Sequence, residues 1–393
     1  MTRRTFTLAA AATTAATSAV PASDRVRLAI IGSGSRGQYL MSEANKSGQN
    51  IEWVAIADAW DVRRQEAAAK YASPKTELYA DYRRLLDRKD IDGVIVATWD
   101  NNHAPVTIAA CNAGKDVYVE KPMTSLPEQG APMIAAVRRN KRVVQVGVQQ
   151  RSTAHFIEAY ERFIQSGRIG KVHMVRTIWN ANSGYLVKPP PGMEQKPAGL
   201  DWNACLGALP KIPWDPKRYF NRFSYWDFST GGQTGGLFVH MVDVVHWYLG
   251  LRQPLSAVAL GGIYQYDDGR DTPDNVNFIL DYPGGINVTF EATITDMIGK
   301  EAADIVFMGS GGRLNIFRGA YRFIPAGAKS PADEIHVKGV HDRHMAEWIE
   351  CIRSRKDPSA TVEEGHYGAM ACHIGNLAYQ TKQRVTWRPE WNA

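Results

Sequence analysis

Val26-Arg27-Leu28-Ala29-Ile30-Ile31-Gly32-Ser33-Gly34-Ser35-Arg36-Gly37 decides the fold of this chain. Val26–Ile31 is a β-branched apolar run of the kind a buried parallel strand needs, and it passes directly into a GxGxxG loop that opens a helix. In such a unit Gly32 allows the tight turn, Gly34 lets backbone approach a pyrophosphate, and Gly37 lets helix pack on strand. The helix N-terminus, with Ser35 and Arg36 in its first turn, offers free N–H groups and a positive dipole end to phosphate oxygens. GxGxxG alone is a weak signal; the strand before it and the helix after it make it a dinucleotide signature. Asp58 ends the next apolar run, Glu52–Ala57, about 20 residues past the last glycine, where a carboxylate bonds ribose hydroxyls. That carboxylate would repel a 2′-phosphate, so the cofactor reads as NAD, with Arg63 close enough to keep NADP open.

Outward from this unit the pattern repeats. Gly93–Thr98, Asp116–Val119 and Val143–Val148 read as further parallel strands, with helices at Val62–Tyr71, Tyr82–Leu86 and Ala104–Ala113 between them. The expectation is a doubly wound α/β Rossmann domain over residues 24–148. From residue 149 to 393 the texture changes. Lys171–Trp179, Ser256–Tyr266, Val276–Tyr282 and Ile286–Thr293 read as longer strands, and Pro283-Gly284-Gly285 as a hairpin turn. Helices are expected at His155–Ser166, Phe238–Leu249, His341–Arg355 and Glu363–Thr381, and a Pro/Gly-rich surface loop at Lys188–Pro216. This second half is read as an α+β substrate domain built on an open, largely antiparallel sheet and closed by the last helices.

The 393 residues, 44% hydrophobic and 22% charged, suit two or three globular domains. The net charge of +6 is spread without a basic block, which argues against nucleic acid as a partner. Residues 1–22 read as a cleavable leader. Arg3-Arg4 and Phe6 precede a short Ala/Thr-rich stretch and small residues at Ala19 and Ala22, resembling a twin-arginine signal for folded export. The expected location is periplasmic or extracellular. No stretch is long and apolar enough for a membrane span. Cys111, Cys205, Cys351 and Cys372 show neither a CxxC pair nor metal-ligand spacing, and read as half-buried thiols with no metal, pairing of some in an exported protein being the alternative.

Two further stretches carry chemistry. Asp116-Val117-Tyr118-Val119-Glu120-Lys121-Pro122 sets a lysine just past a parallel strand, at the edge where ligands of such sheets bind. Gly235-Gly236-Leu237-Phe238-Val239-His240-Met241-Val242-Asp243 begins a helix on which His240, Asp243 and Trp247 share one face while His246 turns away. Glu120-Lys121-Pro122, the glycine loop, Thr98 to His103, Ala113 to Asp116, Gln145 to Gly147 through Arg151, Gly199 to Trp202, the His240 segment and Cys351 to Arg355 together resemble the Gfo/Idh/MocA oxidoreductases across nearly the whole chain beyond the leader.

The resemblance implies hydride transfer between a sugar, glycoside or polyol and a nicotinamide. It implies Thr98, His103, Glu120 and Lys121 at the cofactor, Lys121 orienting the reacting hydroxyl, and His240 as general base. Many relatives carry an Asp four residues before that histidine, where this chain has Gly236, so Asp243 is read as the replacement carboxylate. Arg151, Trp179, Asn180 and Tyr185 are read as substrate contacts. Relatives often assemble through the open sheet, which makes a homo-oligomer the expectation. Because NAD is cytoplasmic, folded export implies a tightly held cofactor and a redox-closed reaction. The alternatives are glycoside cleavage through a keto intermediate and a sugar-binding relative without catalysis.

Overall fold

The computed structural model describes residues 24–182, 184–296, 304–337 and 343–393; the leader expected over residues 1–22 lies outside them. Six parallel strands form the first sheet: Val26–Ile31 (β1), Ile51–Ala57 (β2), Glu77–Tyr79 (β3), Gly93–Val96 (β4), Asp116–Val119 (β5) and Val144–Val146 (β6). Their order is β3-β2-β1-β4-β5-β6, so the winding reverses between β1 and β4. Crossovers there leave in opposite directions, and the carboxyl ends of the strands open a crevice.

Both faces of this sheet are covered, which is why its strands are apolar throughout rather than alternating. Ala29, Ile31, Val94, Val96, Val117 and Val119 pack on one side against Val106, Met133 and Val137. Leu28, Ile30, Trp53 and Ile56 pack on the other, with Trp348, Ile349 and Ile352. Each such side chain contributes roughly 1.5–3 kcal/mol by leaving water. The last three belong to helix His344–Ser354, so a helix from the C-terminal half of the chain covers this face of the first sheet. Met345, Trp348, Ile349 and Ile352 make one apolar stripe at i, i+3, i+4 and i+7, and that stripe fits the otherwise bare Rossmann face. Helix Val362–Thr381 spans both cores, with Val362 and Ala369 in the first and Met370 to Ala378 in the second.

The second sheet has nine strands: Val172–Asn180 (β7), Ser256–Gly262 (β8), Asn275–Tyr282 (β9), Ile286–Thr293 (β10), Asp304–Gly309 (β11), Gly312–Phe317 (β12), Ala320–Pro325 (β13), Asp333–His336 (β14) and Val385–Thr386 (β15). Among the described strands of this sheet, only the β7–β10 pair is parallel. The turn at Pro283-Gly284-Gly285 joins β9 to β10, with both glycines at positive φ. β8 stops at Gly262, short of the expected Tyr266, because the Asp274 carboxylate captures the backbone N–H groups of Tyr264, Gln265 and Tyr266. One face of the sheet packs Phe238, Val242 and Val245 and the helix Val362–Thr381. The other leaves Leu260 and Ile279 exposed. No described helix is long and apolar enough to cross a membrane, and all four cysteines are free thiols.

Candidate active site

A cleft of about 1550 Å³ lies between the carboxyl ends of the first sheet and the second domain. At its nucleotide end, a Cβ on Gly32 would sit 2.5 Å from the Ala97 oxygen, and one on Gly37 would sit 2.1 Å from the Gly32 oxygen. Only glycine fits either position. A Cβ on Gly34 would meet nothing within 4 Å, because that side faces the open cleft. Helix Ser35–Lys46 has no side-chain cap, so its first N–H groups are left for an anion. Asp58 ends β2 and accepts from Ser33 N at 2.6 Å and from Trp60 N at 2.9 Å. Burial raises its carboxyl above the usual range, and these bonds pull it back. This end fits a dinucleotide with its pyrophosphate on the helix and its ribose at Asp58.

A strap from the second domain crosses this end. Leu200 bridges to Trp60, Asp201 N donates to Ala59 O at 2.8 Å, and Asn101 Nδ2 donates to Leu206 O at 2.9 Å. Trp99, Trp202, Tyr219 and Phe228 pack edge to face beneath it.

At the chemical end Lys121 leaves β5 and donates from Nζ to the Gly236 carbonyl at 2.6 Å. Burial pulls its ammonium below the usual range, while Glu120 and Asp100 oppose the shift. Glu120 in turn accepts from Arg36 Nε at 2.7 Å. His103 has Nδ1 at 2.8 Å from Pro122 O and Nε2 at 3.1 Å from Thr98 O, so its ring ties the Lys121 segment to the loop after β4. Thr98 and His103 both line the cleft.

His240 opens helix Val239–Leu249, after a π-helical turn at Thr234–Phe238 that brings the Gly236 carbonyl to Lys121. Its Nδ1 lies 3.1 Å from Gln150 Oε1. With Nδ1 assigned as the donor, Nε2 carries the lone pair, and no described residue partners it. Burial holds the imidazole neutral, and Lys121, Arg318 and Arg36 push the same way.

Two expectations are corrected here. Asp243 is not a substrate carboxylate: it is 1% exposed and accepts from Arg151 Nε at 2.9 Å on both oxygens. Arg151 is not a substrate contact: it also reaches Ser359 O and Glu364 Oε2, outside the cleft lining. A carboxylate one helical turn beyond His240 is taken inside the domain, and a buried charge there requires a buried counter-charge. Gly236 brings a backbone carbonyl to the site in place of a side chain. Its carbonyl holds Lys121, and the space a Cβ would enter is open.

Trp179 and Tyr185 do line the cleft, with Tyr185 62% exposed. Asn180, at the end of β7, does not line it. His246 bonds Tyr282 at 2.7 Å and Trp247 stacks on Tyr160, both as core residues.

Three cleft residues escaped the sequence reading. Asp100 starts a helix and accepts from Thr230 N at 3.2 Å. Arg222 has a buried Nε without a partner. Arg318 forms the turn between β12 and β13, its guanidinium 5.0 Å from the Trp179 ring centre. Asp100 falls in the Thr98–His103 stretch already singled out; nothing local marks the two arginines.

Models of the oxidoreductase family match both halves: an NAD-binding Rossmann fold at residues 26–148 and a C-terminal alpha/beta domain at 176–392. Inositol 2-dehydrogenase of Salmonella typhimurium is 33% identical over 277 residues, covering 70% of this chain and 69% of that protein. An aldose-aldose oxidoreductase from Caulobacter crescentus, solved with glycerol, superposes at TM-score 0.71 and 20% identity over 92% of this chain and all of that one. A levoglucosan dehydrogenase solved with NADH and levoglucosan does so at 0.71 and 17%, over 92% and 99%. At those identities the two structures speak for the fold, while the family models and the inositol 2-dehydrogenase carry the relationship. The chain belongs to the Gfo/Idh/MocA family of NAD-dependent oxidoreductases.

Proposed function

We propose that this enzyme oxidises a hydroxyl of a sugar, glycoside or polyol, passing hydride to a retained NAD, and that a second, carbonyl-bearing substrate takes the hydride back to complete each turnover. The observation that carries this is the meeting of Lys121 and a neutral His240 with a free Nε2 in the same cleft as the glycine loop. NAD, when bound, supplies the hydride acceptor. The His240 lone pair at Nε2 takes the hydroxyl proton as the carbon gives up its hydride. Lys121 spends one of its three N–H donors on Gly236, which leaves two for the substrate oxygen. Gln150 keeps His240 in the tautomer this role needs. Trp179 and Tyr185 offer flat apolar faces to a sugar ring. The strap at Leu200–Leu206 supports a retained cofactor, which in turn suits folded export under the Arg3-Arg4 leader. The exposed sheet face at Leu260 and Ile279 supports assembly into a homo-oligomer.

The test is a panel of sugars, glycosides and polyols offered to the wild type and to His240→Gln. Turnover of some member by the wild type, lowered about 100-fold or more in the variant, is expected for a general base. Equal rates in both proteins would remove His240 from the chemistry.

A further inference from the structure

The charged groups that bear most on the His240 imidazole are cationic. Lys121, Arg318 and Arg36 bear on it, and no carboxylate does so comparably. Arg36 is neutralised by Glu120. Lys121 donates to a backbone carbonyl and has Glu120 and Asp100 bearing on it, whereas Arg318 makes no ion pair among the described residues. Arg318 is not idle surface charge. It stands at the tip of the β12–β13 hairpin, is stacked on Trp179, lines the cleft, and is close enough to disfavour protonation of both Lys121 and His240. Oxidised nicotinamide would add one more positive charge. An unpaired guanidinium in a cleft wall gathers ligands of opposite charge, and a neutral polyol would leave that of Arg318 unanswered.

We infer that the substrate carries an anionic group, a carboxylate or a phosphate, seated on the Arg318 guanidinium beside Trp179. The inference rests on the proposed sugar chemistry for the reaction itself, but the anion seat is a separate property. Arg318 offers a planar fork that matches either group in two-point contact. The same fork on Trp179 lets the sugar ring lie along the indole while its acidic substituent reaches the arginine.

The test compares matched pairs on the purified holoenzyme: aldoses with their uronic acids and with their 6-phosphates. Binding is followed by calorimetry and turnover by rate, in wild type and Arg318→Gln. The acidic or phosphorylated member should bind about 10- to 100-fold more tightly than the neutral one, as hydrogen bonds to a charged group allow. Arg318→Gln should shrink that ratio to within about 3-fold, and Arg318→Lys should restore part of it. A uronate preference without a phosphate preference would assign the carboxylate, and the reverse would assign the phosphate. Acid binding that depends on Arg318 without any turnover would keep the anion seat and defeat the hydride-transfer reading. Equal binding of neutral and acidic members would overturn the inference. So would an Arg318→Gln protein that loses its nucleotide while its sugar preference is unchanged, since the anion would then be the cofactor's own pyrophosphate.

Discussion

At the nucleotide end of the cleft the charged groups find partners within the chain: Asp58 takes the backbone N–H groups of Ser33 and Trp60, Arg63 pairs with Glu66, and Arg83 with Asp81. At the chemical end Lys121 donates to a carbonyl, His240 faces a neutral amide, Arg222 keeps a buried Nε without a partner, and Arg318 makes no ion pair among the described residues. The first end is largely finished before its ligand arrives, as suits a cofactor that stays. The second leaves hydrogen-bonding capacity and positive charge unused, as suits a ligand that comes and goes.

The largest effect expected from breaking this contrast is at Lys121. Lys121→Ala should lower reduction of the bound nicotinamide about 10²- to 10⁴-fold, read by single-turnover absorbance, while nucleotide content stays as in the wild type. Gly37→Ala should do the reverse. Its Cβ would meet the Gly32 carbonyl at 2.1 Å, so the loop must shift and the purified protein should lose its nucleotide, read by chromatography after denaturation.

The Arg151–Asp243 pair lies behind both ends and belongs to neither. Arg151→Ala should destabilise the fold by about 3–5 kcal/mol in urea titration, because it strands a buried carboxylate. Activity per folded molecule should survive, which would not be so if Asp243 acted on substrate.

Acid should weaken the fold through its buried histidines. Burial lowers His240 well below its ordinary value and takes His246 and His373 to about 3. The unfolded chain binds protons on these rings from about pH 6.5 downward while the folded chain does not. Stability is therefore fully present above about pH 6.5 and falls as the pH drops through the window below it. Thermal unfolding across that range should show a declining midpoint; a flat profile from pH 7 to pH 4 would contradict the neutral assignment.

The smallest structural effect is expected of Gly236→Asp, since the Cβ enters open space. Its carboxylate should raise the His240 titration and erode the positive character of the chemical end, visible as a shifted pH profile with little change in unfolding midpoint.

How much of this was legible depends on how far apart the cooperating residues lie in the chain. The glycine loop, Asp58 and Lys121 each sit at a strand end, where a few adjacent residues fix both conformation and position. His240 was visible through its helix and motif. The fate of Asp243 was not, because helical spacing gives a shared face but not which turn reaches the cleft or that Arg151, 92 residues away, waits there. β11 to β14 went unread, and Arg318 with them, since it owes its place to the β12–β13 turn and to Trp179 on another strand. The return of helix His344–Ser354 to the first sheet was hidden for the same reason: its stripe says that it packs, not on what.

We propose above that the protein holds its own NAD and reduces it with a sugar. The direct measurement mixes purified folded protein with a panel of neutral and acidic sugars, glycosides and polyols, with no added nucleotide, and follows nicotinamide absorbance. A stoichiometric rise with at least one sugar, absent in Lys121→Ala, is the expected result. A flat trace in wild type with a glycoside cleaved would show a redox-neutral reaction, and a flat trace with every sugar intact would contradict hydride transfer to a retained nicotinamide.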